Sequence, residues 1–147
     1  MKKIIFFSIL VFILVCACIG TGFGQKLNPK VIKKDSLLKV KLKAKGLDID
    51  YTRISGKRSK WLNEILPLSA KNSTHISGQA IDILVGDINK DGSKNEQDVK
   101  LVISCLEEIE RENPTLVGGL GTYLTKDKVS RRMVHFDVRG TKARWNK

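Results

Sequence analysis

The chain has two histidines, and each lies close to an acidic residue. His75 precedes Asp82 in the segment 73–82, with Gly78 and Ala80 between them. Imidazole nitrogens and carboxylate oxygens are common zinc ligands, and small residues between them leave room for an ion. This segment supplies two candidate ligands, whereas a catalytic zinc needs at least three from the protein.

His135 lies in the segment 133–140, where apolar and polar residues alternate as is typical of a strand. On a strand, His135 and Asp137 share one face and the apolar residues take the other. With His75 and Asp82, His135 completes a set of three ligands that leaves one position open. That is the composition of a hydrolytic zinc site.

The pattern Ser-x-His-x-x-Gly-x-Ala-x-Asp at 73–82, with a histidine on a later strand, resembles the zinc D-Ala-D-Ala carboxypeptidase family. That family includes D,D-dipeptidases, phage endolysins and murein endopeptidases, and it shares its fold with the hedgehog signalling domain. The segment 135–145 is similar to the C-terminal end of one branch of the family. The segment 55–59, Ser-Gly-Lys-Arg-Ser, resembles the family's Ser-Gly-Tyr-Arg-Ser turn. The resemblance covers about residues 36–145.

The resemblance implies that zinc binds to His75, Asp82 and His135. It also implies that Arg58 steadies the scissile carbonyl or a terminal carboxylate of the substrate. A guanidinium suits either task because it stays charged and can bind two oxygens at once.

Family members also carry a general base, either a carboxylate three residues before the last ligand or a histidine two residues before it. This chain has Arg132 and Met133 at those positions, and neither can take a proton from water at neutral pH. Asp137 is the nearest candidate, either as the catalytic base or as the group that orients His135. The sequence leaves both roles open, and it also leaves open a chain without activity.

A second motif occupies residues 87–98 and follows the template of a calcium-binding loop. Gly92 stands at position 6, where the loop must turn sharply. Lys94 at position 8 and an aspartate at position 12 depart from the template, and they resemble dockerin loops more than calcium sensors. We expect a structural calcium ion, with a metal-free helix cap as the alternative. Oxygen-bearing residues fill positions 1, 3, 5, 7, 9 and 12, namely Asp87, Asn89, Asp91, Ser93, Asn95 and Asp98.

The N-terminus has the pattern of an export signal. Two lysines precede the apolar run 4–18, which predicts a signal peptide over residues 1–24. Cleavage after Gly24 is favoured over lipoprotein processing at Cys18. The protein is therefore expected in the periplasm or cell envelope, with membrane contact only through the signal peptide or a lipid anchor.

Charge and cysteine content limit the partners. The net charge of +12 falls by two, to +10, when residues 1–24 and their two lysines are removed. A basic exported protein favours an anionic cell-wall partner over nucleic acid, although a merely solvated basic face is the alternative.

Cys105 would be the one cysteine left after removal of the signal peptide, so no internal disulfide is expected. Its helical spacing predicts packing in the core.

At 41% hydrophobic and 29% charged residues, the composition is that of a folded protein. Residues 25–35 are predicted to be a tether and residues 36–147 one α+β domain, a small antiparallel sheet with packed helices. The resemblance implies that this domain has a hedgehog/DD-peptidase-like fold. Helices are predicted from Ser36 to about residue 45, over 61–66 and over 96–111. Strands are predicted over 47–54, over 75–85 and from 133, with a loop at 118–121.

Together these features predict an exported, monomeric zinc metallopeptidase that cuts D-amino-acid-containing peptide bonds of peptidoglycan, as a D,D-carboxypeptidase or an endopeptidase. One alternative is a non-catalytic zinc-containing domain that binds the cell wall. Another is a calcium-dependent scaffold or adhesion module, which would need an exposed apolar helix face.

Overall fold

The computed structural model describes residues 26–65, 70–125 and 129–147. These residues form an α+β fold with a five-stranded sheet and three α-helices, which confirms the predicted class. The helices are α1 (Pro29–Ala44), α2 (Lys60–Ile65) and α3 (Glu96–Glu112). The strands are β1 (Tyr51–Ser55), β2 (Ala80–Val85), β3 (Gly119–Thr122), β4 (Met133–Asp137) and β5 (Ala143–Asn146).

Two predictions about the N-terminus, the signal peptide over 1–24 and the lipidation site Cys18, lie outside the described residues. Across the described ranges, no helix combines the length and the apolar character needed to cross a membrane.

The sheet has the strand order β1-β2-β4-β3-β5. The prediction of an antiparallel sheet is wrong for one pair, since β3 and β5 are parallel. After β4 the chain turns at Gly140, where φ is +86°, and the Gly140 amide donates to the carbonyl of Val117. Residues 138–142 pass the start of β3 and place β5 along the edge of β3 that faces away from β4. Because β3 and β4 are antiparallel, β5 then runs in the direction of β3.

The central strands β2 and β4 give the sheet two chemically different faces. Side chains alternate between the faces of a strand, and one set belongs to the hydrophobic core together with residues of α1 and α3. This set comprises Ile81, Ile83, Val85, Val134, Phe136 and Val138. The other set carries Asp82, His135 and Asp137, so apolar burial on one face fixes where the polar groups stand on the other.

Helix α1 begins at Pro29, so the predicted tether over 25–35 is wrong from that residue onward, and Ser36 is not the N-cap. Asn28 caps the helix by accepting a hydrogen bond from the amide of Lys30, and proline suits the first helical position. The helix ends before Gly46, as predicted, where φ is +71°. Its buried stripe is Val31, Lys34, Asp35, Leu38 and Leu42.

Helix α3 forms where the sequence predicts it. Asn95 and Asp98 make a reciprocal capping box at its start. Its apolar face is buried against the core, including Cys105, and this confirms the predicted packing role of that cysteine. Strand β1 begins at Tyr51, four residues later than predicted. The glycine-rich stretch predicted as a loop contains strand β3.

Candidate metal site

The three predicted zinc ligands meet on the sheet face opposite the core. Asp82 of β2 and His135 of β4 are direct cross-strand partners, so their side chains stand next to each other. Nδ1 of His135 lies 2.8 Å from Oδ1 of Asp82, and Nε2 of His75 lies 3.1 Å from Oδ2. One ligating atom from each residue falls within 4.8 Å of the others. The three residues can therefore hold a metal ion.

A turn places His75, whereas the sequence predicted a strand starting there. The turn is closed by hydrogen bonds from the amide of Gly78 to the carbonyl of His75 and from that of Gln79 to the carbonyl of Thr74. Gly78 has φ +71°, and a Cβ there would lie 3.1 Å from the carbonyl oxygen of Lys26. Gly78 is therefore required by the backbone, and a Cβ there would point toward Lys26 and Lys57 rather than into the space between the ligands.

Backbone and side-chain acceptors determine which nitrogen each histidine presents to the site. Nδ1 of His75 lies 2.7 Å from the carbonyl oxygen of Gly56, so Nδ1 carries hydrogen and Nε2 faces the site. Nε2 of His135 lies 3.0 Å from Oδ2 of Asp137, so it donates there and Nδ1 faces the site.

With neutral histidines, the atoms that face one another are all acceptors. The nitrogens of His75 and His135 lie 3.3 Å apart, beside both oxygens of Asp82. Lone pairs at such distances repel unless a proton or a cation lies between them. The site therefore needs a positive charge, and a donor set of two imidazoles and one carboxylate suits zinc.

The pKa values of His135 and Asp82 shift in opposite directions. Burial alone would lower the pKa of His135, but its hydrogen bonds to Asp137 and Asp82 outweigh burial and raise it. Burial would raise the pKa of Asp82, but hydrogen bonds from His135 and His75 bring it well below its usual range. Both shifts favour a protonated His135 beside an ionised Asp82.

Asp137 lies beside the site without facing the position of the ion. Its side chain is buried, and Oδ2 bonds to Nε2 of His135, the nitrogen that points away from the other ligands. Oδ1 accepts hydrogen bonds from the amides of Gly119 and Arg139, and the Arg139 guanidinium contacts both oxygens. Burial would raise the pKa of Asp137, but the hydrogen bonds from His135 and Arg139 lower it well below its usual range.

Arg58 is brought to the site as predicted. Its amide donates to the carbonyl of His75, and Nη2 lies 3.9 Å from Oδ2 of Asp82. Nη1 donates to Oδ1 of Asn63 on α2, and Nη2 donates to Oγ of Ser55. Asn63 is a supporting residue that sequence reasoning missed, because a buried asparagine in a short helix gives no motif.

Trp145 of β5 borders the metal site and was given no role from sequence. Its ring centroid lies 5.1 Å from that of His135. Gly121 is the register partner of both residues, and a Cβ on Gly121 would lie 2.2 Å from the indole ring. The absence of a side chain at 121 therefore lets the indole reach His135.

The predicted calcium loop is an exposed turn closed by its own side chains. Oxygens of Asp87 accept from the amides of Asp91 and Gly92, and Oδ1 of Asp91 accepts from the amide of Ser93. Oδ1 of Asn89 accepts from the amide of Asp91, and Oδ1 of Asn95 accepts from that of Gln97. These hydrogen bonds hold the loop in a tight turn.

Asp98, the residue at position 12 of the template, is buried. Its Oδ1 accepts from the amides of Ile88 and Asn89, and its Oδ2 accepts from that of Asn95. Both of its oxygens are therefore engaged with the backbone of the loop. In the described part of the chain, the His, Cys, Asp and Glu side chains close enough together to share a metal ion are His75, Asp82 and His135.

We expect opposite pH dependences for the metal-free and zinc-loaded proteins. The raised pKa of His135 stabilises the metal-free fold below the unfolded histidine pKa of about 6.5, and this contribution is lost as pH rises through the folded value. The lowered pKa values of Asp82 and Asp137 stabilise it above the unfolded aspartate pKa of about 3.9, and this contribution is lost as pH falls. Zinc displaces the proton, so its stabilising effect grows with pH.

Thermal melts between pH 5 and pH 8, with chelator or with excess zinc, measure this difference. The melting temperature with chelator should fall above about pH 6.5, and the difference between the two curves should widen. Two parallel curves would contradict the exchange of a proton for the metal.

Comparison with family models, with curated proteins and with solved structures found no match to this chain. A functional interpretation therefore rests on the site itself, in which two histidines and an aspartate converge beside an arginine.

Proposed function

We propose that the protein is an exported zinc metallopeptidase that hydrolyses D-amino-acid-containing peptide bonds of peptidoglycan. The observation that carries this proposal is the convergence of Nε2 of His75, Nδ1 of His135 and the Asp82 carboxylate, with Arg58 beside them. Three protein ligands leave a position for water or substrate, which is typical of catalytic zinc sites. Zinc bound there would act as a Lewis acid toward water and the scissile carbonyl.

Arg58 is the residue best placed to bind the substrate. Nη2 of its guanidinium lies 3.9 Å from Oδ2 of Asp82, and the Arg58 side chain is 15% exposed, so solvent can partly reach it. Ser55 and Asn63 hold it in position. A fixed cation at this point would bind the carbonyl oxygen of a peptide or the terminal carboxylate of a carboxypeptidase substrate, and it would stabilise negative charge that develops during hydrolysis.

Asp137 fits the role of a positioning residue better than that of a base. Its oxygens are engaged by His135, Arg139 and the amide of Gly119, and it contacts the nitrogen of His135 that faces away from the site. A carboxylate in this position orients a ligating imidazole and increases its basicity. A general base has to reach the attacking water, and this geometry gives Asp137 no direct access to it.

Digestion of purified sacculi tests the function. The mature chain with one equivalent of zinc should release peptide products whose new termini contain a D-amino acid. The products also separate the two activities, since loss of single D-alanines indicates a carboxypeptidase and cleaved cross-links indicate an endopeptidase. The matched control is Arg58→Gln, which should keep zinc and lose activity. Intact sacculi in the presence of zinc-loaded protein would reject the enzyme.

A non-catalytic zinc-containing domain that binds the cell wall is the second candidate. The full engagement of Asp137, together with Arg132 and Met133 where the family has its base, favours it. In that case sacculi would sediment the zinc-loaded protein without being cut. The net charge of +10 expected after export would favour binding to an anionic wall polymer in either case.

The calcium-dependent scaffold has less support. Such a module needs an exposed apolar face on the helix that follows the loop, and in α3 that face is buried in the core. Calcium is proposed as a structural ion in the loop 87–98, held by side-chain oxygens of Asp87, Asn89 and Asp91 with help from Ser93 and Asn95.

Calcium should raise the melting temperature of the zinc-loaded protein if the loop binds it, because a ligand that binds only the folded state stabilises it by mass action. The measurement is a thermal melt with and without millimolar calcium. Asp91→Ala should abolish the shift, whereas Ser104→Ala, an exposed change on α3, should retain it. An unchanged melt of the wild-type protein would leave the loop as a metal-free helix cap.

A further inference from the structure

Lys34 is a buried lysine that the proposed chemistry does not use. Its side chain is 0% exposed, although lysine is among the residues least often buried. It lies on the core-facing stripe of α1 between apolar residues. Burial lowers the pKa of Lys34, and the hydrogen bond to Glu110 offsets part of that effect. A charge kept in such a place needs specific partners.

The partners of Lys34 connect α1 and α3 to β4, the strand that carries His135. Its Nζ donates to Oε1 of Glu110 on α3 at 2.6 Å and to the backbone carbonyl of Asp137 at 2.8 Å. Oε1 of Glu110 also accepts from the amide of Gly118, and Oε2 accepts from Arg144 of β5. One buried ammonium thus joins α1 and α3 to the end of β4.

Lys34 holds the backbone of Asp137, the residue whose carboxylate orients His135. The next residue after Gly118 is Gly119, whose amide donates to Oδ1 of Asp137. Oδ2 of the same carboxylate bonds to Nε2 of His135. The contacts therefore run without a gap from Lys34 to the Asp137 backbone, to its carboxylate and to the imidazole.

Gly118 and Gly119 let the backbone of β3 come close to Asp137. A Cβ on Gly118 would lie 2.1 Å from the carbonyl oxygen of Asp137, and one on Gly119 would lie 2.6 Å from its Oδ2. The backbone of 118–119 is thus in direct contact with Asp137, and Lys34 and Glu110 hold that contact from the core side.

We propose that Lys34 is a positioning residue of the metal site, which acts through the backbone of Asp137 to keep the Asp137–His135 pair in its zinc-binding geometry. This inference rests on the proposed function only in that the bound metal is zinc. A simpler role, in which Lys34 merely joins two helices, predicts a loss of stability without a change in metal affinity.

Zinc affinity separates the two roles. Lys34→Met removes the donor to Asp137, while Glu110 keeps Arg144 as its ionic partner. Zinc dissociation constants are measured by chelator competition on folded protein, beside melting temperatures. We expect Lys34→Met to weaken zinc binding about tenfold, the lower end of the range for residues that orient a ligand.

Lys41→Met is the matched control. Lys41 lies on the same helix and pairs with Glu112 and Glu108 of α3, but its contacts do not include Asp137. It should lower stability slightly and leave the zinc affinity unchanged. If Lys34→Met does not fold, Lys34→Gln keeps a donor in the site with a shorter reach, and it should weaken zinc binding by a smaller factor.

A double-mutant cycle tests the route of action. If Lys34 acts through Asp137, Lys34→Met should cause little further loss of zinc affinity in an Asp137→Asn background. Unchanged zinc affinity in a folded Lys34 variant, or fully additive losses in the cycle, would overturn the inference. Failure of the wild-type protein to bind zinc would instead reject the metal proposed for the site.

Discussion

Replacing His75 with alanine is expected to remove about one equivalent of zinc from the protein, as loss of a ligand does in a site with three protein ligands. Asp82 and His135 alone would leave two positions to be filled by solvent. Nε2 of His75 faces the other two candidate ligands, and Nδ1 is held by the carbonyl of Gly56. Metal analysis after dialysis measures the effect.

Ser77→Ala is a suitable control for His75→Ala, because Ser77 lies in the same turn, is exposed, and its hydroxyl donates to the carbonyl of Thr74. It should retain zinc. The proposed peptidase activity on sacculi should disappear together with the zinc in His75→Ala. Unchanged zinc content in that variant would reject the ligand set and would leave the cluster as a hydrogen-bonded polar group.

Changing Asp137 to asparagine is expected to weaken zinc binding by about 10–100-fold, the range for a group that orients a metal-binding histidine. The amide cannot accept from Nε2 of His135 as strongly, and Arg139 loses its ionic partner. Activity at limiting zinc should fall in parallel and should partly recover when zinc is in excess.

The same variant separates the two roles that the sequence leaves open for Asp137. A catalytic base would give normal zinc affinity and a rate about a hundredfold lower at saturating zinc. Arg139→Gln is the control, since it removes the ion pair but leaves the carboxylate on His135. Full activity with normal zinc binding in Asp137→Asn would exclude both roles.

The residues that could be predicted from sequence are those whose type and spacing suffice. The two histidines and Asp82 are chemically distinctive. Helix α3 has a regular apolar stripe that follows a recognisable N-terminal cap. The start of α1 was missed because its buried stripe includes Lys34 and Asp35, so apolar periodicity is weak there. Burial of these charges depends on partners as distant in sequence as Glu110, which no local pattern contains.

Strand β3 was missed for a related reason. Its sequence, Gly-Leu-Gly-Thr, has the composition of a loop. Its glycines lie where Asp137 and Trp145 approach closely, so the need for them comes from β4 and β5. Strand β5 and the parallel pairing with β3 likewise depend on the path of the chain after Gly140, which alternation alone does not specify.

The three ligands differ in how firmly the fold holds them. Asp82 and His135 are paired across two central strands whose other face is the hydrophobic core, so separating their backbones would disrupt the core. His75 belongs to a turn attached by a few backbone hydrogen bonds, such as the one from the amide of Arg58 to its carbonyl. Such a segment can open in a local, low-energy fluctuation while the sheet stays intact. Exchange of the proposed zinc would then be governed by the opening rate of this turn, so an ion could leave and return without unfolding of the domain.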